Sequence, residues 1–113
     1  MSQITTHILD TATGAPANGV AITLCRRDGD SWAPMGSGTT DADGRIADLC
    51  SDGTPLSAGT YRMVFAIGEY FASRKQANFY PWAEVIFNIE GDGQHYHIPL
   101  LLSPYGYSTY RGS

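Results

Sequence analysis

Apolar and polar residues alternate with a period of two in segment after segment of this chain, and residues typical of turns separate the segments. Successive side chains of a β-strand point to opposite faces of the sheet, so the alternation predicts strands with one buried face. Many short strands at this spacing are typical of an antiparallel β-sandwich. The predicted strands are 3–9, 20–27, 32–40, 45–49, 60–67, 82–90, 94–102 and 107–111.

One short helix is the other predicted element, over residues 69–76, where cations near the carboxyl end suit the helix dipole. The Gly-Asp-Gly sequence at 91–93 lies between two strong strand patterns and predicts a tight hairpin. A chain of 113 residues has the length of one domain, so residues 1–113 are expected to fold as a single unit. The predicted fold class is therefore all-β, an antiparallel sandwich of about eight strands with one short helix.

Charge and hydropathy argue against several classes of function. The net charge of −4 provides no basic surface for nucleic acid. No apolar run is long enough to cross a bilayer. The amino-terminal residues lack the basic and apolar regions of a secretory signal, and the chain does not end in the peroxisomal Ser-Lys-Leu tripeptide. We therefore expect a cytoplasmic protein without nucleic-acid or membrane partners, unless a leader has been removed.

The cysteines and histidines are the candidates for a redox or metal site. Cys25 and Cys50 lack the spacing of a zinc knuckle or a redox pair and are interpreted as small buried residues, with a disulfide as the open alternative. His95 and His97 could form part of a zinc or copper site. Such a site needs further ligands, and His7 is the one remaining histidine. We therefore expect no metal and no cofactor.

The three histidines and two of the arginines are candidates for a polar binding site. His95 and His97 share one strand face, and the opposite face is more apolar and is expected to be the core: Tyr96, Ile98, Leu100 and Leu102. These histidines therefore point out of the sandwich. Arg45 follows a turn, and Arg111 lies next to the carboxyl terminus. Two planar guanidinium groups suit a ligand rich in carbonyl groups or negative charge.

Three segments carry more specific motifs. The chain ends in Tyr-Arg-Gly-Ser after a His-x-His-x-Pro-Leu run, within residues 95–113. Residues 6–17 contain a Thr-His-Ile-Leu-Asp sequence, and residues 40–45 end in Asp-Gly-Arg. Together these segments resemble the 5-hydroxyisourate hydrolases, the enzymatic branch of the transthyretin-like proteins. The resemblance extends from about Ile4 to Ser113 and implies the transthyretin-like topology for the sandwich.

The resemblance also implies the site residues. His7, Arg45, His97 and Ser113 match positions with a catalytic role. Residues matching substrate-binding positions are His7, Arg45, His97, Tyr110, Arg111, Gly112 and Ser113. In the transthyretins proper, which are carriers, the three basic positions are replaced and the closing tetrapeptide is absent. His95 lies beside the implied site, and the resemblance supports it less strongly as a site residue.

The implied substrate is 5-hydroxyisourate, an unstable product of urate oxidation in purine degradation. The implied reaction opens the ring at its N1–C6 bond and gives 2-oxo-4-hydroxy-4-carboxy-5-ureidoimidazoline, without a metal. Histidine suits water activation because its ordinary pKa is about 6.5, and whether His7 or His97 is the base stays open. The resemblance further implies a homotetramer with sites at subunit interfaces. The alternatives are a transthyretin-type carrier of small ligands and a structural sandwich without a ligand.

Overall fold

The computed structural model describes residues 3–46, 48–50 and 55–112. These residues form one helix and eight strands, and the strands make up two four-stranded sheets. The predicted β-sandwich is therefore confirmed. The elements are β1 (Ile4–Asp10), β2 (Ala15–Pro16), β3 (Ala21–Asp28), β4 (Ser31–Thr39), β5 (Gly59–Phe65), α1 (Ile67–Ser73), β6 (Ala83–Ile89), β7 (Tyr96–Ser103) and β8 (Gly106–Thr109). Within the described ranges, no helix is long and apolar enough to cross a membrane.

The two sheets have the strand orders β2-β1-β7-β8 and β4-β3-β5-β6. Neighbouring strands are antiparallel except for β1 and β7, which run parallel with Thr5 opposite His97. This pairing places the amino-terminal strand beside the strand that leads to the carboxyl-terminal tail. Alternation within one strand carries no information about its partner, so the sequence pattern could not predict the parallel pair.

The core lies between the sheets and follows the predicted alternation. Tyr61 and Phe65 of β5 are fully buried, as are Leu100 and Leu102 of β7. Burying a side chain of this size contributes about 1.5–3 kcal/mol each to folding. The buried face of β7 is the one predicted from sequence, which leaves the histidines on the outside. Both cysteines are buried, as expected of small apolar residues.

The hairpin predicted at residues 91–93 is wrong. β6 belongs to one sheet and β7 to the other, so this connection crosses between the sheets. Gly91 and Gly93 have φ values of +83° and +80°, which confirms a sharp turn. A glycine-rich turn has the same sequence whether the chain returns to its own sheet or crosses to the facing one.

The helix is attached to the end of β1 by a buried hydrogen bond. The hydroxyl of Tyr70 donates to Asp10 Oδ2 at 2.8 Å. Asp10 Oδ1 accepts from the backbone N–H groups of Ala12 and Thr13 at 3.0 and 3.3 Å. Burial and the hydrogen bond to Asp10 raise the pKa of Tyr70 to about 12. The aspartate of the Thr-His-Ile-Leu-Asp motif therefore closes the turn after β1 and anchors the helix.

Tyr70→Phe is expected to lower the free energy of unfolding by about 1–3 kcal/mol, because the buried Asp10 carboxylate loses a hydrogen-bond donor. Asp10 is 1% exposed, so water cannot easily replace that donor. Tyr105→Phe is the matched control, because Tyr105 is 67% exposed. Urea denaturation measures both variants, and equal stabilities would contradict the anchoring role of the pair.

Candidate active site

His7 and His97 lie on neighbouring strands, on the outer face of the β2-β1-β7-β8 sheet. The parallel register places His97 opposite Thr5 and His7 opposite Pro99. Both histidines are partly exposed, and each alternates with buried residues along its strand. Two adjacent strands of one sheet therefore hold both imidazoles on a rigid surface.

A tight turn brings Arg45 to the same face. Asp41 Oδ1 accepts from the backbone N–H groups of Asp43 and Arg45 at 2.8 and 3.1 Å. Gly44 has a φ of +72°, and its carbonyl accepts from the N–H of Ile8 at 2.9 Å. A Cβ at Gly44 would lie 2.5 Å from the Ile8 carbonyl oxygen, so the close approach to β1 requires glycine.

The segment after this turn pairs with β1 at one position. An isolated antiparallel bridge joins His7 and Arg45. The strand predicted over residues 45–49 is therefore reduced to this bridge in the part of the chain that the structure describes, which excludes Ala47. The bridge fixes the backbone of Arg45 beside that of His7 while the Arg45 side chain stays exposed.

The carboxyl-terminal tail turns back onto β7. The backbone N–H of Gly112 donates to the His97 carbonyl at 2.8 Å and forms a second isolated bridge. A Cβ on Gly112 would lie 2.6 Å from His97 Cδ2, so glycine allows the tail to lie against the imidazole. Ser113, which the resemblance assigns to catalysis and substrate binding, lies outside the described residues.

Tyr110 and Arg111 line a cavity of about 240 Å³ between β6, β7 and the tail, which His97 also lines. The Arg111 guanidinium carbon lies 4.8 Å from the centre of the Tyr96 ring, and Arg111 Nη2 donates to Gln94 Oε1 at 2.6 Å. These two contacts hold the guanidinium at the cavity. The predicted site residues therefore lie on the outer sheet face and at the cavity, and His97 borders both.

Burial lowers the pKa of His97 below its ordinary value of 6.5, and the positive charge of Arg45 lowers it further. His95 and His7 also lower this pKa, while a hydrogen bond to the backbone of Thr5 raises it. The imidazole of His97 is therefore neutral at neutral pH and able to accept a proton.

Metal binding is the alternative for the histidines. Across the described ranges, no group of three or more His, Cys, Asp or Glu side chains is placed to hold a metal ion. The arrangement provides a neutral base on the same sheet face as a cation, which is suited to proton transfer and to stabilising a developing oxyanion. The metal-free site expected from the sequence stays a prediction.

Sequence reasoning missed three residues that organise the site. Thr5 contacts both His95 and His97, while Gln94 and Tyr96 hold Arg111. Thr5 lies two residues before His7 in β1, so both side chains point to the same face of the sheet. This spacing could have marked Thr5 as a site residue. No comparable signal marked Gln94 or Tyr96, because their contacts depend on the path of the tail.

Comparisons with known proteins agree over nearly the whole chain. A family model described as the HIUase/Transthyretin family matches residues 4–112. The 5-hydroxyisourate hydrolase of Caulobacter vibrioides is 50% identical over 117 residues, which covers 100% of both chains. The structure of Klebsiella pneumoniae 5-hydroxyisourate hydrolase matches with a TM-score of 0.84 and 41% identity, covering 97% of this chain and 98% of its own. Sea bream transthyretin in complex with thyroxine matches with a TM-score of 0.91 and 34% identity, covering 98% and 95%.

Proposed function

The chain belongs to the HIUase/Transthyretin family, and we infer that it hydrolyses 5-hydroxyisourate. The observation that carries this inference is the 50% identity to the Caulobacter vibrioides hydrolase along the full length of both chains. Identity to the sea bream transthyretin is lower, at 34%. The relatives therefore favour the hydrolase over the alternative of a non-enzymatic carrier.

The proposed reaction opens a ring amide. The oxygen of a water molecule adds to the C6 carbonyl carbon, a base takes the proton that the water loses, and the N1–C6 bond breaks. A proton is delivered to N1, and the product is 2-oxo-4-hydroxy-4-carboxy-5-ureidoimidazoline. This sequence needs a general base, a group that stabilises the oxyanion and a proton donor for the leaving nitrogen. It needs no covalent enzyme intermediate.

We assign the role of general base to His97, because its lowered pKa keeps the imidazole neutral. Arg45 is assigned to stabilise the oxyanion at C6, and the same charge disfavours protonation of His97. His7, whose backbone bridges to Arg45, is assigned to donate the proton to the leaving nitrogen. The substrate ring is proposed to be held by the tail, comprising Tyr110, Arg111, Gly112 and Ser113.

The pH dependence of kcat/KM tests the assignment of the base. Activity is expected to fall on acidification below pH 6.5, because protonation of His97 removes the base and its pKa lies below the ordinary value. Arg45→Gln removes the positive charge, so the acidic limb should move to higher pH. Arg27→Gln is the control, because Arg27 is exposed and on the other sheet. If the acidic limb stayed at the same pH in Arg45→Gln, the proposed effect of the Arg45 charge on the pKa of His97 would be contradicted.

Gly112→Ala is expected to lower kcat/KM by about 100-fold, because the new methyl group would displace the imidazole of His97 or the tail, and small misplacements of a catalytic group are costly. Gly106→Ala is the matched control: its Cβ would meet nothing closer than Ser103 Oγ at 3.7 Å. Steady-state kinetics of both variants measures the difference. Equal activities would show that the tail does not position His97.

We also propose that the chain functions as a homotetramer with sites at subunit interfaces. β6 and β8 are edge strands of their sheets, and an edge offers backbone groups to a second copy. Large apolar side chains near these edges are exposed, among them Phe79 at 70%, Ile86 at 57% and Tyr110 at 57%. Exposed apolar surface of this kind is typical of interfaces. Light scattering measures the assembly, and a fully active monomer would contradict the proposal.

Three further expectations stay predictions: a single hydrolase domain over residues 1–113, a cytoplasmic location and hydrolysis without a metal. Metal analysis of the purified active protein tests the last of these, and stoichiometric zinc would contradict it. Limited proteolysis tests the single domain, since a stable fragment much shorter than the chain would contradict it. Cell fractionation tests the location.

Identification of the product is the direct test of the reaction. Isotopically labelled urate is oxidised by urate oxidase in an NMR tube, with and without this protein. We expect the carbon signals of the ring-opened product to replace those of 5-hydroxyisourate much sooner when the protein is present. Equal time courses, with the protein folded, would contradict the hydrolase and favour the carrier.

A further inference from the structure

The hydroxyl group of Thr5 joins two histidine side chains. Thr5 Oγ1 lies 2.8 Å from Nε2 of His95 and 2.8 Å from Nδ1 of His97. The two imidazole rings are nearly parallel, with centres 6.3 Å apart and planes inclined by 20°. Because Thr5 and His97 are opposite one another in the parallel β1–β7 pair, the strands themselves fix the contact between these two residues.

A hydroxyl group can donate one hydrogen bond, and a neutral imidazole carries one N–H. Thr5 can therefore bond to both neutral rings only by donating to one of them and accepting from the N–H of the other. If Thr5 donates to His95 Nε2, then His97 carries its proton on Nδ1 and donates to Thr5. The lone pair of His97 is then on Nε2, which is the form that a general base requires.

We propose that Thr5 is a positioning residue that holds His97 in the Nδ1–H tautomer, with His95 as the acceptor for the Thr5 proton. This inference rests on the proposed function, because the tautomer matters for turnover only if His97 is the base. It assigns His95 a purpose, since the exposed His95 ring keeps its Nδ1–H in water while Nε2 receives the Thr5 hydroxyl. The opposite direction of both hydrogen bonds would leave His97 as a proton donor.

The charged groups around His97 do not replace this function of Thr5. Arg45, His7 and His95 all disfavour a proton on His97, so they keep the ring neutral without selecting which nitrogen carries its remaining proton. The tail contacts the ring through Gly112, whose N–H bonds to the His97 carbonyl rather than to the imidazole. The backbone of Thr5 also hydrogen-bonds the His97 ring and raises its pKa, so the Thr5 hydroxyl acts together with its own backbone in holding this imidazole.

The test compares Thr5→Val, which removes the hydroxyl and keeps the branched shape, with Thr5→Ser, which keeps the hydroxyl. Thr60→Val is the matched control, because the Thr60 hydroxyl donates to Asn88 Oδ1 at 3.0 Å on the other sheet. We expect Thr5→Val to lower kcat about 10- to 100-fold with KM nearly unchanged. Thr5→Ser and Thr60→Val should remain within about threefold of the wild-type kcat.

Nitrogen-15 NMR of the imidazoles provides a readout that does not depend on turnover. At a pH where the ring is neutral, His97 should be the Nδ1–H tautomer in the wild type and in Thr5→Ser, and should lose that preference in Thr5→Val. A wild-type His97 with its proton on Nε2 would overturn the inference. The wild-type spectrum decides this even if Thr5→Val does not fold.

The kinetic outcomes distinguish a failure of the proposed hydrolase function from a failure of the proposed role of Thr5. A wild-type protein that does not accelerate the decay of 5-hydroxyisourate contradicts the proposed function, whatever the tautomer of His97. An active wild type accompanied by an equally active Thr5→Val with the same tautomer overturns the role of Thr5 alone. An active wild type, a Thr5→Val variant with lowered kcat and a Thr5→Ser variant with near-wild-type kcat support both the hydrolase function and the role of Thr5.

Discussion

His97→Ala and His7→Ala are each expected to lower kcat by about 100- to 10,000-fold while leaving the protein folded. His97 is the assigned base and His7 the assigned proton donor, so each substitution removes one of the two proton transfers. Both side chains lie on the outer face of the sheet and are partly exposed, so little packing is lost with them. Stopped-flow measurement of kcat and circular dichroism of the same samples test both parts of this expectation.

The control for these substitutions is Thr23→Ala, because Thr23 is an exposed strand residue on the other sheet. It should keep the wild-type kcat and the wild-type spectrum. Near-wild-type turnover in both His7→Ala and His97→Ala would remove the histidines from the mechanism. Loss of turnover in only one of them would identify the indispensable proton transfer.

Deleting residues 110–113 is expected to lower kcat/KM by at least about 100-fold, because the tail is proposed to hold the substrate ring and lies against His97. The deletion removes the N–H of Gly112 that bonds to the His97 carbonyl at 2.8 Å. The sandwich should persist, because β8 ends at Thr109, whose hydroxyl donates to the Pro99 carbonyl at 2.6 Å. A carrier or a structural sandwich should tolerate the same deletion.

Two measurements are needed on the protein that lacks residues 110–113. Thermal unfolding establishes that the fold is intact, and light scattering establishes whether the assembly changes. Tyr105→Ala, a change in the exposed turn between β7 and β8, is the control for perturbing this end of the chain. Full activity in the protein that lacks residues 110–113 would contradict the proposed role of the tail in substrate binding.

The strands and their faces could be predicted because alternation is a local property. β1 and β5 bury the residues of one phase, and β7 does so with Pro99 buried in addition, which requires only that the strands pack on a core. Pairing is a long-range property, so the parallel β1–β7 pair was not predictable from the pattern. The short β2 was missed as well, because its two residues are too few to show any period.

The site shows the same division between local and long-range information. Motif residues such as Arg45 and Gly112 could be named because they lie in short, distinctive segments. The contacts of Thr5 with His95 and His97 depend on register, and the seating of Arg111 on Tyr96 depends on the path of the tail. The sequence therefore provides candidate site residues, but it could not predict the contacts that hold the described ones in place.

The most direct test of the central claim is the rate at which 5-hydroxyisourate disappears. Urate oxidase generates the substrate in a cuvette, this protein is added, and the decay is followed by ultraviolet absorbance. We expect decay much faster than the spontaneous reaction, with the acceleration abolished by deletion of residues 110–113. A decay rate unchanged by the folded, intact protein would contradict the assignment as a hydrolase.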